Sequence, residues 1–178
     1  MTVWAAQYLL FAMVVVLAAV WLFAENRRGK VELGVAAVLG LVLALIFMYV
    51  AKHAHSDPRP FVDNPSIKPF FGHSRDDGFP SDHAVAAGLI AGLALWRHRL
   101  VGVVLLLAAV VVAWARVAAH VHHLQDVVAG LLLGGLAAAI AAITVILVGQ
   151  RASWRTAAPN TQGAADANGT IFRRNAGR

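Results

Sequence analysis

Long apolar runs decide what this chain can become. Five are legible, at roughly Val3–Ala24, Val31–Ala51, Ser81–Trp96, Leu100–Ala115 and Leu124–Val148. A bilayer offers no water to unpaired peptide groups, so a spanning segment must satisfy its own backbone, as a helix does. A span takes about 20 apolar residues, within a range of roughly 17 to 25. The first, second and fifth runs qualify, whereas the third and fourth are short and by length alone also suit buried core helices. Their short connection, Arg97-His98-Arg99, argues that they cross as an antiparallel pair. The expected fold is therefore an all-α integral membrane bundle of about five transmembrane helices. With 60% of its 178 residues hydrophobic and 13% charged, the chain departs from a soluble domain. Its net charge of +6 comes without a basic run or an aromatic-interleaved basic face, which points away from nucleic acid. The absence of cysteine removes disulfides and thiol chemistry.

Charge between the runs sets the expected topology. Arg27, Arg28, Lys30, Arg97, Arg99, Arg151 and Arg155 fall on one side of a five-span chain, and Lys52, Arg59, Lys68, Arg75 and Arg116 on the other. Three of the latter belong to polar clusters that interrupt the apolar runs. Setting Lys52, Arg59 and Arg116 aside leaves seven cations against two. The positive-inside rule then makes the seven-cation side cytoplasmic, with the clusters and the amino terminus outside. Cations follow the first run rather than precede it, the pattern of a retained anchor and not of a cleaved signal. Residues 1–150 read as the membrane domain and 151–178 as a flexible cytoplasmic tail. Ala84, Gly88 and Gly92, like Gly130, Gly134 and Ala138, recur every four residues. Small residues at that spacing let helices approach closely in lipid, although abundant alanine would produce part of the pattern.

Three polar clusters interrupt this apolar chain. Ionisable groups are costly in or beside membrane segments, which makes each a functional candidate. In one, His122 and Asp126 are four apart, so a helix would put them on one face. Asp126 can hold the proton of one ring nitrogen and leave the other free to attack, and Arg116 can reach a phosphate in the same pocket. A structural His-Asp hydrogen bond explains that pair equally well. In another, Pro80 and Ser81 suit a helix start, whose free N–H groups attract anions. His83 would sit in its first turn and, protonated, could donate to a leaving oxygen. Lys52 and Arg59-Pro60 supply positive charge, the arginine fork matching phosphate oxygens. His120, His122, His123 and Asp126 also have metal-donor chemistry. On a helix His120 and His122 would point about 200° apart, and no strong zinc spacing is present. No metal is expected.

The three clusters together resemble the type 2 phosphatidic acid phosphatase superfamily. Lys52, six residues, then Arg59-Pro60 is similar to its first signature, and Pro80-Ser81-Asp82-His83 to its second, usually Pro-Ser-Gly-His. Arg116, five residues, His122, three residues, Asp126 is similar to the third, which normally opens Ser-Arg. The resemblance implies that His122 attacks phosphorus to form a phosphohistidine, that Asp126 orients it, and that His83 protonates the leaving group and then activates water. It further implies that Lys52, Arg59, Ser81 and Arg116 hold the phosphate oxygens, without a metal or other cofactor. Phe79-Pro80-Ser81-Asp82-His83 resembles the bacterial undecaprenyl-diphosphatase branch. That implies a polyprenyl diphosphate substrate hydrolysed at the outer membrane face. Phosphatidylglycerol phosphate or phosphatidic acid hydrolysis is the alternative within the class, and non-catalytic binding or transport of anionic lipids the alternative outside it. Two positions depart from the pattern: Ala115 stands where serine is usual, and Asp82 adds a carboxylate where glycine is usual. Phe61, Phe70, Phe71 and Phe79 serve either to seat the loop in the membrane interface or to pack it.

Overall fold

The computed structural model describes residues 2–72 and 75–157, with side chains for 7–72 and 75–151. Helix α1 (Thr2–Ala19) runs into a π-turn (Val20–Ala24). It is followed by α2 (Arg27–Ala54), the single turn α3 (Pro60–Asp63), α4 (Asp82–Arg97), α5 (Arg99–Ala118) and α6 (Leu124–Ala157). Sheet-type pairing among the described residues is one isolated bridge, Pro58 to Asp77. All five expected long helices are present. Four of them, α1 with its π-turn, α2, α5 and α6, are long and apolar enough to cross a bilayer. Helix α2 starts ahead of its apolar run because Asn26 caps it, Oδ1 accepting the Gly29 N–H at 2.8 Å.

The fifth helix, α4, forms the core. Its 16 residues span about 24 Å, short of the ~30 Å hydrocarbon layer. One face carries Val85, Leu89 and Leu93 against Leu33 and Ala44 of α2 and Ala137 and Ala141 of α6. Its other face sets Ala87, Ile90, Ala91 and Ala94 against Met13 of α1 and Leu105, Ala109 and Val112 of α5. Protein lies on both sides, so its length need not match the lipid. Leu95 lies against Gly102 and Ala84 clusters with Ala113, which makes α4 and α5 an antiparallel pair turning through His98. The outward faces of α2 and α5, with Val38, Leu45, Val103, Leu107 and Trp114 exposed, form the apolar belt of a multi-pass membrane protein.

The small residues at four-residue spacing bring α4 and α6 together. A Cβ on Gly88 would lie 2.5 Å from the Leu131 carbonyl oxygen, and one on Gly134 would overlap the Val85 carbonyl oxygen. The first compact unit ends at Val145 and a second begins at Ile146. Helix α6 runs past the expected boundary at residue 150 to Ala157, and the remainder of the expected tail lies outside the described residues.

An ion cluster fastens the end of the bundle opposite the polar clusters. Arg97 donates from Nε and Nη2 to the two oxygens of Glu25, at 2.8 and 2.6 Å, and from Nη1 to Glu32 at 2.9 Å. Hydrogen bonding to Arg97 outweighs desolvation and lowers the Glu25 carboxyl below its ordinary range. Its stabilising contribution is therefore present above the ordinary carboxylate pKa and lost as pH falls through the lowered one. Arg97→Met would leave Glu25 with only His98, at 3.2 Å, as a partner, a loss of about 1–3 kcal/mol. Melting in detergent should show it, with partial recovery in Glu25→Gln/Arg97→Met. An unchanged melt would mean the cluster is idle.

Candidate active site

The corner between α5 and α6 is built by a helix-termination motif. Past Ala119, His120 adopts φ 60°. Its N–H bonds to the Val117 carbonyl at 2.9 Å and that of Val121 to the Arg116 carbonyl at 3.3 Å. This paired pattern is the Schellman motif, completed by apolar contact among Ala115, Ala119 and Val121. A glycine usually takes the left-handed position. His120 takes it here, with Nδ1 3.3 Å from the Lys68 carbonyl oxygen and its ring edge-on to Phe70. A β-branched residue fits that conformation poorly. His120→Val should therefore lower stability by about 1–2 kcal/mol, whereas His120→Gly should melt like wild type. Equal melting of the two would contradict the motif.

The corner corrects the expectation of a helical His122-Asp126 pair. His122 precedes the helix, which starts at Leu124. The two still meet, because Asp126 reaches back: its Oδ2 accepts the His123 N–H at 2.8 Å, as the third residue of a capping box does. The same oxygen lies 3.4 Å from His122 Nδ1. The reading of His120, His122, His123 and Asp126 as one donor set does not hold, since His120 faces away toward Lys68 and Phe70.

Two arginines close on the other ring nitrogen. Arg59 Nη1 is 3.2 Å and Arg116 Nη2 3.5 Å from His122 Nε2. Arg59, Arg116 and His122 are at most 5% exposed, and Asp126 is fully buried. A guanidinium has donors only, so Nε2 presents a lone pair and Nδ1 carries the proton toward Asp126. Burial lowers the His122 pKa most; contact with Asp126 opposes that, and the charges of Arg116 and Arg59 reinforce it. The ring is thus neutral near pH 7. Arg59 is anchored by Nε to Asp76 at 3.0 Å and by Nη1 to the Val121 carbonyl at 2.9 Å, and Arg116 lies over the Phe71 ring at 5.7 Å. Two buried cations aimed at one point have the charge and the donors that a multiply charged anion requires.

The second cluster is arranged differently from expectation. Helix α4 starts at Asp82, so Pro80 stands outside it, and Ser81 holds the N-cap position without a side-chain capping bond. The Ser81 hydroxyl is buried and has no partner among the described residues; its N–H binds the Asp126 carbonyl at 3.1 Å, joining the two corners. His83 is half-buried in the first turn. Lys52, in the last turn of α2, pairs with Asp82 at 3.2 Å. Ala115 is buried in the apolar cluster with Val121, Phe61 and Phe71, so no hydroxyl is called for there. Phe61 and Phe71 therefore pack the loop, and Phe70 is exposed.

Sequence reasoning missed the carboxylates that shape the loop. The Asp57 side chain lies 3.1 Å from His123 Nδ1 and accepts from Gln125 Nε2 at 2.5 Å, while its N–H donates to Asp77. Burial works against the Asp77 charge, but donors on Asp57, Ser56 and Phe79 outweigh it and lower its pKa. Asp57, His123 and Asp126 bring possible metal donors within 4.8 Å of one another. Their hydrogen bonds to each other and to Gln125 already account for the Asp57 Oδ2 and Asp126 Oδ2 atoms. Nothing in the sequence signals this set beyond a Ser-Asp-Pro turn.

The PAP2 superfamily profile matches residues 33–149, which include all three clusters. This chain belongs to the PAP2 superfamily. Among its relatives, YbjG of Escherichia coli (strain K12) is 37% identical over 122 residues, 68% of this PAP2 chain and 61% of YbjG. The bacitracin transport permease protein BcrC of Bacillus licheniformis is 34% identical, over 75% of this chain and 64% of its own. The undecaprenyl-diphosphatase BcrC of Bacillus subtilis (strain 168) is 29% identical, over 74% and 66%. The PAP2 chain thus spans between three fifths and two thirds of the length of these relatives. Two solved structures share its fold. Aquifex aeolicus LpxE has a TM-score of 0.59 at 24% identity, covering 79% of each chain. A transmembrane PAP2-type phosphatidylglycerolphosphate phosphatase from Bacillus subtilis has a TM-score of 0.52 at 23% identity, covering 84% of this chain and 73% of that one.

Proposed function

We propose that this PAP2 protein is a metal-independent membrane phosphatase that removes the terminal phosphate of a lipid diphosphate, undecaprenyl diphosphate above all. The observation that carries the reading is the convergence of Arg59 and Arg116 on the unprotonated nitrogen of His122. The arginines draw the phosphate oxygens against a nitrogen whose lone pair faces them, and Asp126 stabilises the charge that develops on the ring. Nε2 attacks the terminal phosphorus, and the bond to the bridging oxygen breaks. The lipid monophosphate leaves with a proton from His83. Water then attacks the phosphohistidine, giving its proton to His83, and inorganic phosphate departs. Ser81 supplies a further contact from its buried hydroxyl, and Lys52 one from the rim.

The name of the Bacillus subtilis relative supports the substrate, as does the Pro-Ser-Asp-His form of the second cluster. The site faces outward and the Arg27–Arg99 end faces the cytoplasm, in keeping with the distribution of cations. The test is phosphate release from undecaprenyl diphosphate by purified protein in detergent with excess EDTA. Release supports the reading. Turnover lost to EDTA and restored by a divalent cation would overturn its metal-free part. Silence toward this lipid with turnover of phosphatidylglycerol phosphate or phosphatidic acid would overturn the substrate. Binding of all three without turnover would leave a lipid-binding protein.

A further inference from the structure

The site contains an acidic group that the proposed chemistry does not use. Asp82 opens α4, between the buried Ser81 and the histidine assigned as acid, and its carboxylate holds Lys52 Nζ at 3.2 Å. The two side chains are 63% and 39% exposed, so the pair sits at the mouth of the site. Asp82 is also close enough to Arg116 for its charge to act there. Arg59 and Arg116 meet the His122 ring, whereas Lys52 meets Asp82. The cations are thus divided between an inner pair of guanidiniums around the attacking nitrogen and an outer ammonium already occupied by a carboxylate.

We propose that Asp82 is a built-in stand-in for a second phosphate, occupying Lys52 until the outer part of a diphosphate headgroup displaces it. The inference rests on the phosphatase reading and extends it to substrate selection. A single phosphate fills the arginine pair and leaves Lys52 on Asp82. A diphosphate brings a second anion to the rim, where it competes for the same ammonium. Exposed ion pairs are weak, so the exchange is easy, and a phosphate group carries at least the charge of the carboxylate it replaces. Glycine at position 82 offers no such competitor. Asp82 therefore sets how strongly an anion must bind before Lys52 joins it.

The sign of one affinity change tests this. Binding of inorganic pyrophosphate and of orthophosphate would be measured by calorimetry on the purified chain, as wild type, Asp82→Asn, Lys52→Met and the double variant. Removing the competing charge should tighten pyrophosphate about twofold to fivefold, a range set by the weakness of exposed ion pairs. Orthophosphate should change less, and the gain should vanish when Lys52 is methionine. Asp82→Glu, which restores the carboxylate, should return affinity toward wild type. Weaker or unchanged pyrophosphate binding in Asp82→Asn would overturn the proposal, because Asp82 would then be positioning Lys52 for the ligand. An equal gain without Lys52, or an equal gain for orthophosphate, would also overturn it by showing a general charge effect. A parallel turnover assay keeps the two ideas apart. A wild type inactive on lipid phosphates but showing the Lys52-dependent gain would sink the phosphatase reading alone. An active wild type with no gain would sink only the role of Asp82.

Discussion

His122→Ala is expected to lower phosphate release from a lipid diphosphate by about a thousandfold or more, the scale on which loss of a covalent nucleophile acts. The expectation follows from the two faces of one ring. Its Nδ1 side meets Asp126 Oδ2 at 3.4 Å, longer than an ordinary hydrogen bond and of the kind that tightens when substrate binds. Its Nε2 side meets two guanidiniums. No other described side chain has that position, so nothing substitutes for it. His122→Gln keeps a polar group in the site and should be as inactive; its melting temperature shows whether the fold is intact. Because burial lowers the His122 pKa, loss of rate through its protonation should appear only below the ordinary imidazole pKa. An acid-labile, base-stable phosphoenzyme trapped in wild type and absent in His122→Gln would identify the intermediate. Substantial turnover by either folded variant would remove His122 from the chemistry.

Arg116→Lys should cost roughly a hundredfold in kcat, on the scale of losing one preorganised donor to a developing oxyanion. Charge is conserved in this exchange, so a purely electrostatic role would survive it. Shape is not conserved. Arg116 lies over Phe71 while Nη2 reaches toward His122, and a lysine ammonium cannot reproduce a planar fork that stacks and donates together. The loss should fall on kcat more than on KM, because the phosphoryl group gains its demand for donors in the transition state. A lysine variant with wild-type kcat would show that only charge is required of Arg116.

Much of the site could be read in the chain because its groups recur at local spacings. Arg116, His122 and Asp126 lie within one corner, and Lys52 and Arg59 within one helix end and its loop. Even there the local geometry differed. A helical i,i+4 pair was the natural expectation for His122 and Asp126, yet the contact is made by a capping carboxylate reaching back across the start of α6. Ser81 has the composition of a cap, but its buried hydroxyl makes no capping bond. The parts that escaped are long-range. Asp57 meets His123 and Gln125 across 66 and 68 residues of sequence, and Arg97 meets Glu25 across 72. No periodicity encodes such pairings; they exist only once five helices have been brought together. The small residues of α4 and α6 were legible as a spacing, and the close backbone approach at Gly88 and Gly134 gives that spacing its reason.

The enclosed position of α4 bears on how the chain enters the membrane. Its sixteen residues fall short of a bilayer crossing, and its best partners belong to other helices. Released alone from the insertion machinery, it would gain little from lipid. Only His98 separates it from α5, which is long and apolar enough to cross by itself. The two are thus suited to partition as one hairpin, the longer helix carrying the shorter across. The polar groups at the open end of that hairpin, Asp82 and His83 on one arm and Arg116 on the other, would then be held on the same side together. Assembly of the site is in this way tied to the topology of the segment that follows it.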